Sequence, residues 1–457
     1  MRIEKKLDYI DQNESLLLKD LIDFLKIPSI STNQDFSDSC KEAAKWLVRK
    51  LVSLGFEATA HKTDGHPIVL ANAGSGSPHL LFYGHYDVQP ADPLDLWNSH
   101  PFQPKLRTGS KGKEICARGA SDDKGQLMTF INACGAFIAQ DSHLPCRITL
   151  LIEGEEETGS PSLEKFIKSN KSLMQADYAL ICDTGMWNSD TPAISTMLRG
   201  MVGEEIKVKT ANKDLHSGMY GGPAVNPIKE LSKAIASLHD KHGKVTIQNF
   251  YNGVYEIPQN IKNQWLRLNF SSEIFLNSVG LSTLAGENNY SLPEQLWARP
   301  TCEINGIWGG YTAHGFKTII PSEANAKVSF RLVGNQEPQI IRAEFRKHII
   351  ANLHSDCKVT FLAKDGSKAI SVSVTSKIVK AAQKALYAEW GAKPVFIGCG
   401  GSIPVVNCFK EILGLDTLLV GFALEDDGIH SPNEKYSIRS YQKGAKSWVR
   451  IINEVVS

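Results

Sequence analysis

Two rhythms of apolar residues run through the first two hundred positions. One is helical: Leu16–Leu25 carries apolar side chains three and four apart and stops before Pro28, and Ala43–Leu54 repeats the pattern up to Gly55. A glycine just past the last periodic residue ends a helix because it enters the left-handed region without steric cost. The other rhythm is a short unbroken apolar run, found at Ile68–Ala71, Leu80–Tyr83, Ile148–Ile152 and Tyr178–Ile181. Such runs suit strands buried on both faces beneath helices, and Gly125–Ala139 fits one of the covering helices.

Near Gly200 the rhythm changes. Glu204–Lys209 and Ala326–Arg331 alternate polar and apolar residues, which predicts strands with one wetter face. Helical patterns at Val225–Leu238 and Gln339–Leu353 accompany them. Beyond residue 371 the first rhythm returns, with a helix at Ser373–Trp390, a buried strand at Leu415–Val420 and a closing amphipathic helix from Tyr441 to Val456. The expected fold class is α/β. A catalytic domain with an open, mostly parallel sheet is expected from 1–197 and 372–457, with an α+β domain, 198–371, inserted as lid and dimerisation module. A chain of 457 residues is also longer than one core ordinarily serves.

Composition narrows the function classes. Hydrophobic residues at 42% and charged residues at 22% describe a soluble globular protein. A formal charge of +1 offers no basic excess for nucleic acid or an anionic membrane. Met1–Lys6 leads into polar residues, unlike the apolar core of a signal peptide, and no apolar run is long enough to cross a bilayer. A cytoplasmic location is expected. The nine cysteines are scattered without a Cys-x-x-Cys pair, and several sit in apolar runs, as Cys182 does. They read as buried thiols in a reducing compartment, so any metal here uses imidazole and carboxylate.

Candidate chemistry gathers where apolar runs stop. Leu80–Gly84 precedes His85-Tyr-Asp87; Ile148–Ile152 precedes Glu153-Gly-Glu-Glu-Glu157; Tyr178–Cys182 precedes Asp183; Thr417–Phe422 comes shortly before Glu425–His430. Ligands of open α/β sheets collect beyond the carboxyl ends of the strands, so these four segments can meet at one edge. Ser121-Asp122-Asp123 lies directly before a predicted helix. Each feature has a bland reading. Acidic pairs usually sit on solvated surfaces, Ser121 and Asp122 can cap the following helix, and His85 alone can be a satisfied core histidine. The conjunction at strand ends favours a metal centre built from His and carboxylate ligands. A carboxylate can bridge two cations, and Asp87 can accept the second N–H of His85 and set its tautomer. Glu156 and Glu157 are neighbours, so one can bind metal while the other takes a proton from water. The glycine-rich Gly74–Gly76 and Gly398–Ser402 complete no dinucleotide or phosphate loop, and no Gly-x-Ser-x-Gly elbow occurs.

The segments Gly84–Pro90, Arg118–Gly125, Glu155–Ser160, Asp183, Lys213–Gly222, Gly400–Pro404 and His430–Lys435 occur in this order over almost the whole chain. In this the sequence resembles the dinuclear-zinc peptidases that include carnosinase-type cytosolic dipeptidases, carboxypeptidase G, acetylornithine deacetylase and succinyl-diaminopimelate desuccinylase. The dipeptidase branch is the nearest pattern. The resemblance implies two divalent ions per subunit, zinc first and manganese or cobalt as alternatives. By it, His85 and Asp183 hold one ion, Glu157 and His430 the other, and Asp122 bridges, with a cis peptide at Asp122–Asp123. It implies Glu156 as general base, Asp87 as partner of His85, and His216 reaching from the neighbouring subunit of a homodimer to stabilise the oxyanion. Thr318, Arg331 and Ser402 match residues that bind the carboxylate end of a small peptide. Gly398 and Cys399 stand where close relatives often carry Arg-Glu, a departure that bears on substrate preference and not on the metal set. The expected activity is hydrolysis of dipeptides. An N-acyl-amino-acid amidohydrolase is the nearer alternative, and a non-catalytic metal-dependent binding protein the remote one.

Overall fold

The computed structural model describes residues 3–401 and 403–457, so Ser402 lies outside the described residues. The chain divides into two compact units. The first comprises Met1–Thr196, Val372–Ile397 and Pro404–Ser457; the second comprises Met197–Ser371 and Gly398–Ile403.

The first unit opens with α1 (Glu4–Gln12), α2 (Glu14–Leu25) and α3 (Ser37–Ser53), followed by β1 (Glu57–His61), β2 (Ile68–Ala73) and β3 (His79–His85). Next come β4 (Lys105–Gly109), β5 (Gly112–Cys116), α4 (Lys124–Asp141), β6 (Arg147–Glu153), α5 (Leu163–Ser169), β7 (Tyr178–Ile181) and β8 (Ala193–Leu198). The returning chain adds the helix Lys377–Trp390, the strand Thr417–Leu419 and the closing helix Ile438–Val456. The main sheet runs β1-β2-β6-β3-β7, then Thr417–Leu419, then β8. Its middle is parallel: β3 pairs with β6 and β7, and β7 with Thr417–Leu419. Both flanks are antiparallel. The parallel register sets His85 beside Glu153 and Tyr83 beside Ile181, so the ends of the central strands lie level along one edge.

Burial explains the unbroken apolar runs. All seven residues of β3 are buried. Helix α4 is buried around its circumference from Lys124 to Phe137, as expected of a helix that is apolar on every side. It packs against β3, α1, α2 and the closing helix. Phe82 stacks on Phe130 at 3.8 Å between centroids, and Trp448 meets both rings edge-on. Truncating either phenylalanine to alanine costs about 3–5 kcal/mol.

A second, three-stranded sheet escaped the hydrophobic pattern because its outer residues are solvated. The β4–β5 hairpin pairs with Lys435–Ser437, placing Lys435 opposite Cys116. This pairing brings the segment after His430 back to the loop that begins at Arg118.

The second unit is built on a four-stranded antiparallel sheet in the order Thr301–Gly309, Glu323–Leu332, β9 (Gly200–Lys209), Lys358–Ser367. The helices Pro227–Ala236 and Pro338–Ala351 contribute Leu231, Ala234, Ile341 and Phe345 to a core shared with Val202, Ile206 and Phe330. The first of these helices starts where Asn226 accepts from the N–H groups of Ile228 and Lys229, ahead of Pro227. Alternation along Glu323–Leu332 separates buried Val328 and Phe330 from half-buried Ser329 and Arg331.

All nine cysteines are unbridged, and six are buried. Among the described residues no helix is long and apolar enough to cross a membrane.

Candidate metal centre

Five ligand-type side chains of the first unit form two triads. His85, Asp122 and Asp183 make one, Asp122, Glu157 and His430 the other, and the ligand atoms of each triad lie within 4.8 Å of one another. His85 is the last residue of β3, Asp183 follows β7, and Glu156 and Glu157 open a single 3-10 turn after β6. Asp122 lies in the loop entering α4, and His430 follows the turn Glu425–Asp427 with a φ of 61°. Asp122 faces both triads. Its Oδ1 is 3.1 Å from His85 Nε2, and its Oδ2 is 2.9 Å from His430 Nε2. Asp183 Oδ2 is 3.9 Å from His85 Nε2, and Glu157 Oε2 is 3.3 Å from His430 Nε2. The Asp122–Asp123 peptide is cis.

The electrostatics of the cluster favour cations. Burial opposes ionising Asp122, but His430 and His85 outweigh it and hold its carboxyl below the usual range. Burial also opposes protonating His85, yet Asp122 and Asp87 raise its pKa well above normal. Asp122 and Glu157 lift His430 to about 10. Asp183 is pushed up to about 7 by burial and the charge of Asp122. Glu156 is pushed up to about 8 by burial, which outweighs His85, with Asp183 and Glu157 adding repulsion. At Asp183 and Glu156, burial and the neighbouring carboxylates outweigh the imidazoles. Glu157 Oε1 is buried without a hydrogen-bond partner. Two imidazole nitrogens and three carboxylates are a donor set suited to borderline divalent ions such as zinc, so the residues fit a dinuclear centre in which cations displace protons from the imidazoles.

The supporting contacts are specific. His85 Nδ1 lies 3.1 Å from the backbone oxygen of Asp87 and 3.4 Å from its Oδ1, which leaves Nε2 for the triad. The Asp87 carboxylate accepts from the N–H groups of Glu156 (3.2 Å) and Glu157 (3.0 Å) and from Ser31 Oγ (2.6 Å). One buried carboxylate therefore orients a ligand histidine and the turn that carries both glutamates. Gln89 Nε2 donates to Glu157 Oε2 at 2.7 Å. Glu434 anchors the Asp122 loop: it accepts from the N–H groups of Gly119, Ser121 and Asp122 and from Arg118 Nη1. Asp427 accepts from Ser121 Oγ and Lys435 Nζ. Gly84 allows the close approach of Asp123, whose Oδ2 accepts from the His85 N–H; an added Cβ would meet that oxygen at 3.0 Å. Glu434, Arg118 and Gln89 sit in the matched segments, but nothing in their spacing assigns them these roles. Ser31 carries no sequence signal.

A cavity of about 500 Å³ opens beside Asp183, with Met186, Leu424 and Ile429 on its walls and Glu425 among its lining residues.

The other expected site residues belong to the second unit. His216 ends the short strand Leu215–His216, which pairs with Ile319–Ile320. Its Nδ1 accepts from the Gly218 N–H at 3.0 Å. Thr318 accepts the Ser217 N–H through its backbone oxygen. Arg331 lies between Met201 and Thr301 in the sheet register.

Comparison with known proteins agrees with this picture. Residues 81–454 match the model of peptidase family M20/M25/M40. The chain is 30% identical to the Cys-Gly metallodipeptidase of Schizosaccharomyces pombe, covering 100% of this chain and 99% of that protein. It is 29% identical to the human Beta-Ala-His dipeptidase, over 99% of this chain and 92% of that protein. Among solved structures, human carnosine dipeptidase 1 superposes with a TM-score of 0.80 at 28% identity, covering 99% of this chain and 98% of that one. A metallo-carboxypeptidase of the same family from Sulfolobus solfataricus gives a TM-score of 0.83 at 32% identity, covering 96% and 99%.

Proposed function

The chain belongs to peptidase family M20/M25/M40, and from that premise we propose that it is a cytoplasmic di-zinc dipeptidase acting as a homodimer. The observation that carries the reading is the pair of ligand triads sharing Asp122 at the ends of the parallel strands. His85 and Asp183 would hold one ion, Glu157 and His430 the other, with Asp122 between them. Bound there, two divalent ions supply an acidified water and a polarised scissile carbonyl.

The chain's own residues do the rest. Glu156 takes the proton released as water adds to the carbonyl, and returns it to the leaving amine. Asp87 holds the backbone N–H groups of both glutamates, so the turn stays fixed with Glu156 as the base and Glu157 as the ligand. Burial and neighbouring carboxylates keep Glu156 a stronger base than a solvated glutamate, and the nearby cations would draw its pKa back towards neutrality. His216 of the partner subunit stabilises the oxyanion. Arg331, with Thr318 and Ser402, pairs with the substrate's terminal carboxylate through its planar fork.

A panel of dipeptides, their C-terminal amides, tripeptides and acetyl- or succinyl-amino acids, each assayed with zinc, manganese and cobalt, tests this reading. Free-acid dipeptides are expected to be cleaved fastest. Equal cleavage of acid and amide removes carboxylate anchoring. Faster cleavage of acyl-amino acids moves the assignment to an amidohydrolase.

A further inference from the structure

The glutamate ahead of Glu156 has a task of its own. Glu155 is buried, and its carboxylate joins two loops: Oε1 accepts from the His66 N–H at 3.1 Å, and Oε2 from the Ser162 N–H at 3.2 Å. Its backbone oxygen accepts from the N–H groups of Thr158 (3.1 Å) and Ser160 (2.8 Å), which closes the turn that carries Glu156 and Glu157. A Cβ on Gly65 would lie 1.5 Å from Glu155 Oε1, so only glycine leaves room for that carboxylate against the loop 62–67, which joins β1 to β2.

His66 carries the connection further. Its Nε2 lies 3.2 Å from the backbone oxygen of Ser31. A carbonyl only accepts, so this nitrogen bears the hydrogen. Ser31 donates through Oγ to Asp87 Oδ2 at 2.6 Å, and Asp87 accepts from the N–H groups of Glu156 and Glu157. The links close a ring that runs from Glu155 through His66, Ser31 and Asp87 back to the same turn. Two more contacts brace it: Tyr86 Oη donates to the backbone oxygen of Pro67, and Ser29 Oγ to that of Tyr86, each at 2.7 Å. All of these segments belong to the first unit. His66 itself is half-buried and belongs to neither triad.

We propose that His66 is a positioning residue for the general base: by tying the loop 62–67 to Ser31 it fixes the turn on which Glu156 stands. The proposal rests on the dipeptidase reading, with Glu156 as the base. A closed ring of hydrogen bonds holds its members more narrowly than separate contacts do. Losing the His66 link loosens the turn, and a reacting group misplaced by about 1 Å costs on the order of a hundred-fold in rate. The ring contains no group assigned to the substrate, so the loss falls on kcat and not on KM.

The test compares the zinc-loaded parent with His66→Ala, His66→Phe and His66→Gln on the dipeptide Ala-Gly, with bound zinc counted by elemental analysis. Hydrogen exchange of the amides in 155–160, followed by mass spectrometry, is a second readout that needs no turnover. His66→Ala should lower kcat by about ten- to a hundred-fold while KM and two bound zinc ions are retained, and should speed exchange in 155–160 by about ten-fold or more. His66→Phe keeps a ring and loses the donor; it should behave alike, and it carries the test if His66→Ala does not fold. His66→Gln, whose side-chain amide can still donate to Ser31, should recover most of both losses. Parental kcat in a folded variant without the donor, or a loss that glutamine does not recover, overturns the positioning role and leaves the dipeptidase reading standing. Turnover lost because zinc is lost overturns it as well. If the parent cleaves no dipeptide, the dipeptidase reading falls and the exchange rates decide the ring: faster exchange in His66→Ala but not in His66→Gln sustains it, and unchanged exchange removes it too.

Discussion

The two units handle charge in opposite ways. In the first, carboxylates and imidazoles face one another, and three of the candidate ligands are held by a further polar group: His85 by Asp87, the Asp122 loop by Glu434, Glu157 by Gln89. In the second, Glu204 and Glu287 are consumed by structural ion pairs, while Arg331 stands half-buried on the sheet face away from the core. Closed networks of the first kind hold reacting groups rigid. A cation on such a face suits the recognition of an anionic ligand. Changes in the first unit should therefore act on metal content and turnover, and changes in the second mainly on KM and selectivity.

The largest effect is expected at Asp122. Asp122→Ala removes the anion shared by both triads, and turnover should fall to background together with the bound metal. Elemental analysis beside the assay decides the matter: full activity from a metal-free protein would end the dinuclear reading. Glu156→Gln keeps the shape of the base but cannot take up the proton. It should retain both metals and lose roughly a hundred- to ten-thousand-fold in turnover. Loss of metal instead would show that Glu156 and Glu157 have been assigned the wrong way round.

His216 is where the comparison can break, because it belongs to the second unit yet is assigned to transition-state stabilisation. His216→Ala should lower kcat by about a hundred- to a thousand-fold. Mixed with Glu156→Gln chains under exchange, it should recover on the order of a quarter of parental activity, because a mixed dimer holds one site with both groups intact. No recovery despite proven exchange rules out action across the dimer.

The mildest test lies at Glu434. Glu434→Gln would place an amide nitrogen where a carboxylate oxygen now accepts backbone N–H groups and Arg118. Metal affinity should weaken by about ten- to a hundred-fold, with the base still in place. A metal titration followed by calorimetry reads this directly, and unchanged affinity would show that the loop does not depend on that carboxylate.

What the chain determined by itself is local and periodic. Unbroken apolar runs become the central strands because those strands are buried on both faces, and the alternating run at Glu323–Leu332 becomes a strand with a core on one face. Four of the candidate segments were legible because an apolar run precedes each, Asp122 only by its place before a helix, and the ordered motifs pointed to the dipeptidase branch. The solvated hairpin β4–β5 was not legible, since exposed strands leave little periodic signal. Tertiary structure alone decided what depends on residues distant along the chain. Pairing of Lys435 with Cys116 brings Glu434 to the Asp122 loop. A hydroxyl at Ser31, without any motif around it, completes Asp87. Arg331 comes to lie between Met201 and Thr301 only because Glu323–Leu332 pairs with both neighbouring strands in this register. A side chain's type and neighbours in sequence set its chemistry; the position of its charge relative to others depends on strand register and loop anchoring, which only the folded chain supplies.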